Sequence, residues 1–384
     1  MQLELSTEDA AFRAEMREFF TTAVPKEIRD TVAERGELSK DQIVTSQRIL
    51  NSHGLAVPHW PAEWGGRDWT PLRRHIWHEE MQRACVPLPL AFNASMVGPV
   101  IAAFGTEEQK QRFLPATANL DIWWSQGFSE PDAGSDLASL RTTAVRDGDD
   151  FVVNGQKTWT TLGQYGDWIF MLVRTDPEAK KQRGISFLLI DMTSPGVEVR
   201  PIELIDGGHE VNEVWFTDVR VPAENLVGEL NHGWDYAKFL LGNERVGVAP
   251  VGATKRVLAQ AKEWAGAEQL ADPLVAARIA ELENELLALE LTALRVVANS
   301  ADGKPHPASS VLKLKGTELQ QAVSELVVDL AGPAALASGA GDDSTVPQWA
   351  RRATPAYLNL RKASIYGGSN EIQRQIIAKT ILGL

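Results

Sequence analysis

The stretch most informative about the fold reads Gln126-Gly-Phe-Ser-Glu-Pro-Asp-Ala-Gly-Ser-Asp136. It places serine, proline and glycine so close together that the chain must turn sharply and expose backbone N–H groups and hydroxyls. A loop of this kind suits a ligand that is rich in phosphate or strongly dipolar. An ordinary surface turn carries the same residue types, so the loop by itself does not identify a site.

A second informative stretch reads Phe151-Val-Val-Asn-Gly-Gln-Lys-Thr-Trp-Thr-Thr161. Its Asn154-Gly155 pair lies between apolar runs and predicts a two-residue hairpin turn. Trp159 then falls at the end of a strand beside two threonines. An indole flanked by hydroxyls in this way would cover a flat heterocycle.

The composition indicates a globular protein and excludes several kinds of site. The chain has 384 residues, 44% hydrophobic and 23% charged, which is enough for two or three packed layers or domains. A formal net charge of −13, with no cluster of basic residues, argues against nucleic-acid binding. Cys85 is the only cysteine and the seven histidines show no ligand-like spacing, so we predict no disulfide within the chain and no metal site.

The sequence also predicts where the protein resides. The chain begins Met1-Gln-Leu-Glu-Leu-Ser-Thr-Glu-Asp9, which lacks the basic and apolar regions of a secretory signal. No apolar run approaches the ~20 residues that span a bilayer. We therefore expect a cytoplasmic protein that does not enter the membrane.

Helical patterns occupy both ends of the chain, and strand patterns occupy its middle. Helices are predicted from residue 6, over 40–51, 72–81, 96–104 and 107–114, and again from 234, over 275–297, 310–330 and from 370. Strands are predicted over 122–126, 144–146, 151–153, 168–173, 185–190, 197–202 and 214–216. This order predicts an α+β protein with an N-terminal all-α domain (1–120), a middle β-sandwich or barrel-like domain (121–228) and a C-terminal helical domain (229–384).

Three motifs in this order resemble the acyl-CoA dehydrogenase family of flavoenzymes. They are Ser129-Glu-Pro-Asp-Ala-Gly-Ser-Asp136, Asn154-Gly-Gln-Lys-Thr-Trp-Thr-Thr161 and Ile365-Tyr-Gly-Gly-Ser-Asn-Glu-Ile-Gln-Arg374, and the similarity runs nearly end to end. The resemblance implies the acyl-CoA dehydrogenase fold, with a four-helix bundle as the C-terminal domain. It also implies FAD as cofactor, an acyl-CoA oxidised to a trans-2-enoyl-CoA, and an electron-transfer flavoprotein as electron acceptor.

The resemblance offers two positions for the catalytic base. The family's commonest base is a Glu in an Ile-Tyr-Glu-Gly-Thr string, where this chain has Gly367. Some relatives, including the isovaleryl- and long-chain enzymes, carry the base immediately before an arginine in the first long C-terminal helix. This chain has Asn243-Glu244-Arg245 at that point, so Glu244 is the candidate base. The alternative is that Glu244 is only a solvated acid or the partner of an intrahelical ion pair.

The same resemblance implies roles for the other site residues. Those that would line the flavin ring and phosphates are Gln126, Phe128, Ser129, Trp159, Thr161, Ser369, Asn370 and Glu371. Ser135 would contact the CoA moiety, and Arg245 would hold polar atoms of the substrate. The backbone N–H of Gly367 would polarise the thioester carbonyl. Phe128 departs from the small aliphatic residue that is usual in the family, which changes the packing at that edge.

Two family elements that complete a neighbouring chain's flavin are missing. In place of an Arg-x-x-Phe-Gly string the chain has Ala265-Gly-Ala-Glu-Gln-Leu-Ala-Asp272, and in place of Gln-x-x-Gly-Gly-x-Gly it has Asp329-Leu-Ala-Gly-Pro-Ala-Ala335. We therefore expect an obligate heteromer, α₂β₂, in which a homologous second subunit supplies both elements. Such an assembly would hold one FAD per αβ pair.

Two alternative functions stay open at this point. An acyl-CoA oxidase shares most of these motifs, and a non-catalytic subunit could have kept the scaffold after losing the Glu at position 367. The wording of residues 47–63 and 231–238 resembles bacterial homologues that act on steroid side chains and other bulky or dicarboxylic acyl-CoAs. The sequence does not specify which acyl-CoA is the substrate.

Overall fold

The chain divides into two units, one of which is built from three separate stretches of the sequence. The computed structural model describes residues 5–244, 250–298, 307–338 and 345–384, without the side chains of residues 242–244, 297 and 298. One unit, here called the terminal unit, comprises Met1–Gln42, Trp69–Leu88 and Arg245–Leu384. The other, the central unit, comprises Ile43–Asp68 and Pro89–Glu244.

Along the sequence, helices precede and follow the strands of a single sheet. In chain order the described α-helices are α1 (Thr7–Thr22), α2 (Lys26–Ala33), α3 (Lys40–Ser52), α4 (Pro71–Arg83), α5 (Gly98–Phe104), α6 (Glu107–Ala118), α7 (Gly233–Glu244), α8 (Val251–Leu270), α9 (Pro273–Ala298), α10 (Ser309–Ala331), α11 (Gln348–Arg351), α12 (Ala353–Asn359) and α13 (Asn370–Ile377). The strands are β1 (Trp124–Gly127), β2 (Thr143–Asp147), β3 (Asp150–Thr161), β4 (Trp168–Arg174), β5 (Ile185–Asp191), β6 (Val197–Ile202) and β7 (Val211–Pro222). This order confirms the predicted α+β class.

The strands of the central unit form one sheet. Their order is β1-β4-β2-β3-β7-β6, and β5 also pairs with β4. β1 runs parallel to β4, whereas β3 runs antiparallel to both β2 and β7. β4 and β5 are buried along nearly their whole length, as expected for continuous apolar runs that are covered on both faces.

The hairpin turn predicted at Asn154-Gly155 is wrong. β3 continues through both residues, and the turn between β2 and β3 lies instead between Asp147 and Asp150, which pair with each other. The register of β3 against β7 shifts at Asn154-Gly155, which marks a bulge. Glycine is required there because a Cβ on Gly155 would lie 2.5 Å from Oγ1 of Thr142.

The helices of the terminal unit share one apolar core. α8, α9 and α10 pack against one another, and α12 and α13 pack on α10. α9, which corresponds to the helix predicted over 275–297, buries an apolar stripe at Ile279, Leu282, Leu286, Leu289 and Val296. None of the helices that the structure describes combines the length and the apolar character needed to cross a membrane.

Candidate flavin and acyl-CoA site

A buried ion pair fixes the loop after β1 to β3. Nζ of Lys157 lies 2.7 Å from Oε1 of Glu130 and donates to the carbonyl oxygen of Phe128 at 3.2 Å. Lys157 is 0% exposed and Glu130 is 8% exposed. The backbone N–H groups of Arg141 and Thr142 donate to the two carboxylate oxygens of Glu130, at 2.6 and 3.0 Å. Because these partners offset the cost of burying the two charges, the loop is held in one position.

The environment keeps both members of this pair charged at neutral pH. Burial lowers the pKa of Lys157 to about 8, against the opposing effect of Glu130. Burial alone would raise the pKa of Glu130, but Lys157 and the hydrogen bonds from Thr142 and Arg141 outweigh it and lower that pKa below its usual value. The Ser129 loop is therefore attached to β3 by an ion pair at physiological pH.

Trp159 is held in an unusual conformation next to Ser129. The backbone N–H of Thr158 donates to the carbonyl oxygen of Ser129 at 2.9 Å. The next residue, Trp159, has φ +61° and lies in a bulge, where the register of β3 against β7 shifts between Lys157 and Thr160. A left-handed conformation is an outlier for a bulky side chain and costs about 1–3 kcal/mol. The bulge leaves Trp159 58% exposed, as an uncovered flat ring.

The remaining predicted residues of the central unit differ in exposure. Gln126, in β1, and Thr161, the last residue of β3, are half-buried. Ser135 is exposed and lies two residues after a turn that is closed by two backbone hydrogen bonds between Glu130 and Ala133, both 3.0 Å. The exposure of Ser135 suits its expected contact with a CoA moiety.

The ring of Phe128 belongs to the core of the central unit. It is 6% exposed, and its centroid lies 5.8 Å from that of Phe170 and 6.3 Å from that of Phe187, in edge-on contacts. Phe170 and Phe187 stack on each other across β4 and β5, with an interplanar angle of 8°. The large side chain of Phe128, which departs from the family pattern, therefore fills part of the interior of the central unit.

In the terminal unit, Ser369 and Asn370 begin α13, as predicted. Oγ of Ser369 accepts from the backbone N–H of Ile372 and caps the helix. Asn370 is 6% exposed, and its Oδ1 accepts from Nζ of Lys313 at 3.2 Å and from Oγ1 of Thr317 at 3.1 Å. This side-chain oxygen is thus engaged in holding α13 on α10.

The segment before α13 has a conformation that favours glycine. Gly367 has φ +62° and Gly368 has φ +81°. Nε2 of Gln373 donates to the carbonyl oxygen of Gly368 at 3.1 Å and holds the turn from behind. Glu371, one residue after Asn370, is exposed. Any side chain at position 367 would be strained in this conformation.

The side chains of the candidate base, Glu244, and of the neighbouring Arg245 are not described. Glu244 is the last residue of α7. The side chain of Glu244 and the whole of Arg245 lie outside the described residues. Their roles stay predictions.

Sequence reasoning did not assign the residues that hold the site in shape. Lys157 and Glu130 lie inside the quoted motifs, and opposite charges in two neighbouring motifs were a usable signal. Asn212, which contacts the backbone after Trp159, lies far from both motifs in the sequence. No local pattern could have indicated that contact. In the parts of the chain that the structure describes, no three His, Cys, Asp or Glu side chains gather as they would around a metal ion.

Comparison with known proteins covers almost the whole chain. Models of the "Acyl-CoA dehydrogenase" N-terminal, middle and C-terminal domains match residues 6–121, 125–219 and 231–382. The chain is 38% identical to the acyl-CoA dehydrogenase IpdE1 of Mycobacterium tuberculosis over 356 residues, covering 91% of this chain and 89% of that protein. It is 35% identical to the acyl-CoA dehydrogenase FadE29 of the same organism, covering 98% and 97%.

Two solved structures are similar over their whole length. The "Tcur3481-Tcur3483 steroid ACAD" superposes with a TM-score of 0.89 at 31% identity, covering 100% of this chain and 99% of that chain. A chain of the "ChsE4-ChsE5 complex from Mycobacterium tuberculosis" gives a TM-score of 0.85 at 34% identity, again covering 100% and 99%.

Proposed function

The chain belongs to the acyl-CoA dehydrogenase family, and from that premise we propose that it oxidises a bulky acyl-CoA thioester to the trans-2-enoyl-CoA with FAD as cofactor. An electron-transfer flavoprotein then takes up the electrons. The observation that carries the proposal is the exposed, left-handed Trp159, fixed beside Ser129 at the end of a buried scaffold. A strained, uncovered indole is stable only where the surrounding structure imposes it, and such positions cluster at binding sites.

The described residues fit a flavin. Trp159 would cover the face of the ring, while Gln126, Ser129 and Thr161 would contact its polar edge. The resemblance to the family assigns the flavin phosphates to the start of α13, which Ser369 caps. When bound, the flavin supplies an acceptor for the hydrogen that leaves the substrate's beta carbon as hydride.

The protein's own groups would act on the thioester. The carboxylate of Glu244 removes a proton from the alpha carbon, which requires only that it reach that proton at hydrogen-bond distance. The backbone N–H of Gly367 donates to the thioester carbonyl oxygen and stabilises the negative charge that develops there. Arg245 holds polar atoms of the substrate, and Ser135 contacts the CoA moiety. Since position 367 is a glycine with φ +62°, a base must come from elsewhere in the chain.

We propose a steroid side chain or a similarly bulky acyl group as the substrate. The similar Tcur3481-Tcur3483 protein is a steroid ACAD, and the wording of residues 47–63 and 231–238 resembles homologues of that kind. One methylene changes selectivity by only about 1–3 kcal/mol, so a panel of thioesters is needed to define the acyl group.

We further propose that the active form is an α₂β₂ heterotetramer with a homologous second subunit. Each of the two similar structures pairs two differently named proteins, Tcur3481 with Tcur3483 and ChsE4 with ChsE5. In this chain residues 265–272 contain no arginine, and their helix is interrupted at Gly266, where φ is +68°. The second missing element falls at the end of α10, where Gly332 has φ +52°. A second subunit would supply the donors that both elements lack.

Co-expression with a neighbouring gene of the same family tests the proposal. The purified complex should contain one FAD per αβ pair and should lose its flavin colour when it is mixed anaerobically with the correct acyl-CoA. Absence of peroxide on re-aeration would separate a dehydrogenase from an oxidase. A complex that binds no flavin, or that is reduced only by a nicotinamide nucleotide, would contradict the proposal.

A further inference from the structure

A buried asparagine on β7 holds the backbone immediately after Trp159. Asn212 is 0% exposed, and its Nδ2 donates to the carbonyl oxygen of Thr160 at 3.1 Å and to Oε1 of Gln164 at 2.7 Å. Thr160 and Asn212 are also partners in the β3–β7 ladder, at the point where pairing resumes after the bulge. The asparagine therefore fixes the first paired residue beyond the strained one.

The segment that Asn212 contacts is strained at both ends. Trp159 has φ +61° and Leu162 has φ +52°, so two residues that are not glycine adopt the left-handed region within four positions. Each such residue costs about 1–3 kcal/mol and persists only where neighbours impose it. The second constraint from this side of the sheet comes from Glu210, whose carbonyl oxygen accepts from the N–H of Leu162 at 2.7 Å. Asn212 and Glu210 thus both hydrogen-bond to the backbone of residues 159–162 from the side of β7.

A histidine sets the orientation of the asparagine amide. Nε2 of His209 lies 2.8 Å from Oδ1 of Asn212. Because Nδ2 of Asn212 already donates to two oxygens, Oδ1 is the acceptor and His209 must donate from Nε2. Nε2 of Gln164 donates in turn to the carbonyl oxygen of His209 at 3.3 Å, which closes the network. The amide cannot flip without losing these bonds.

We propose that Asn212 is a positioning residue that holds the indole of Trp159 and the hydroxyl of Thr161 where a flavin ring meets them. The inference rests on the proposed function, because it assigns those two residues to the flavin site. Asn212 is fully buried and would act through its hydrogen bonds to Thr160 and Gln164, without contact to the substrate or the cofactor. A purely structural role would lower stability without altering the bound flavin.

Asn212→Asp separates the two roles. The aspartate keeps the volume and the acceptor for His209, but its second oxygen cannot donate to the carbonyl of Thr160. In the co-expressed complex we expect faster hydrogen exchange at residues 159–163, an altered visible circular dichroism of bound flavin, and a kcat lowered about ten- to hundredfold, as for other small misplacements. Asn225→Asp, at a buried asparagine of the same unit, is the matched control and should leave the flavin spectrum unchanged.

A milder variant keeps the test valid if Asn212→Asp does not fold. His209 is exposed, so His209→Ala should fold, remove one of the three hydrogen bonds that orient the amide, and shift exchange and flavin dichroism in the same direction by a smaller amount. A folded Asn212→Asp complex with wild-type exchange, flavin dichroism and kcat would overturn the inference. A wild-type complex that binds no flavin would instead contradict the proposed function. Failure of the inference about Asn212 and failure of the proposed function are therefore distinguishable.

Discussion

The ammonium group of Lys157 lies 2.7 Å from a carboxylate oxygen of Glu130, and both side chains are buried. One belongs to β3 and the other to the loop after β1, so this single contact joins the two motifs that were most informative in the sequence. The same loop carries Ser129, whose carbonyl oxygen accepts from the N–H of Thr158. The ion pair therefore helps to fix the backbone next to Trp159.

Lys157→Met should destabilise the protein strongly. It leaves the buried carboxylate of Glu130 without a countercharge, which costs about 3–5 kcal/mol when one partner of a buried pair is removed. Lys181→Met is the matched control, since Lys181 and Asp136 are 60% and 64% exposed and such pairs contribute about 0–1 kcal/mol. Urea unfolding at neutral pH measures both. Equal losses for the two variants would show that the buried pair has no special weight.

Acid should destabilise the terminal unit through His78. Burial, reinforced by nearby His75, lowers the pKa of His78 from 6.5 to about 4. Below pH 6.5 the unfolded chain binds a proton that the folded chain does not, so stability falls as pH drops from 6.5 to about 4 and then levels off. At pH 5 this group alone should cost about 2 kcal/mol.

His78→Gln tests this assignment. The variant should lose less stability than the wild type when the urea midpoints at pH 7 and pH 5 are compared. If the His78 variant lost as much stability as the wild type between pH 7 and pH 5, the ring of His78 would have to be protonated in the folded state at pH 5.

Trp159→Ala should lower flavin content and leave unfolding nearly unchanged. The side chain is 58% exposed, so its removal deletes little packing, and alanine relieves none of the φ +61° backbone. Val145→Ala, at a residue that is 63% exposed in the same unit, controls for truncation of an exposed apolar side chain. Flavin per complex is read from absorbance after gel filtration. Full flavin content in the tryptophan variant would remove the main support for the site.

Asn370→Leu should weaken the attachment of α13 to α10. The leucine has a similar shape but cannot accept from Lys313 or Thr317, and leaving such buried donors without this acceptor costs about 1–3 kcal/mol. Gln375→Leu, on the same helix and exposed, is the matched control and should change the unfolding midpoint far less. Thermal unfolding of the two variants measures the difference, and an unchanged midpoint for Asn370→Leu would contradict the role of this contact.

Local signals in the sequence predicted most elements of the fold. Thr106 and Gln109 form the capping box that begins α6, and Ser369 caps α13, because capping depends on residues three positions apart. The hairpin prediction failed because the glycine at position 155 is needed to make room for Thr142, the residue just before β2. An Asn-Gly pair is compatible with either a hairpin turn or a β-bulge. Only the position of the neighbouring strand distinguishes the two.

The candidate site was predictable only in part for the same reason. Motifs located Trp159 on a strand end, but its left-handed backbone depends on pairing with β7 and on Asn212. Contacts between residues so distant in sequence carry no local periodicity. The opposite charges of Lys157 and Glu130 were visible in the sequence, whereas their burial was not.

Oxidation of an acyl-CoA by this chain depends, in the function proposed above, on Glu244 as the base. The most direct measurement is anaerobic mixing of the flavin-loaded complex with an acyl-CoA of the reactive class, comparing the wild type with Glu244→Gln. We predict rapid loss of the flavin's visible absorption in the wild type. In the variant we predict normal flavin content and acyl-CoA binding, with reduction slowed by about a hundredfold or more, since removing a general base typically costs that much. Reduction of the Glu244→Gln complex at the wild-type rate would contradict the assignment of Glu244 as the base.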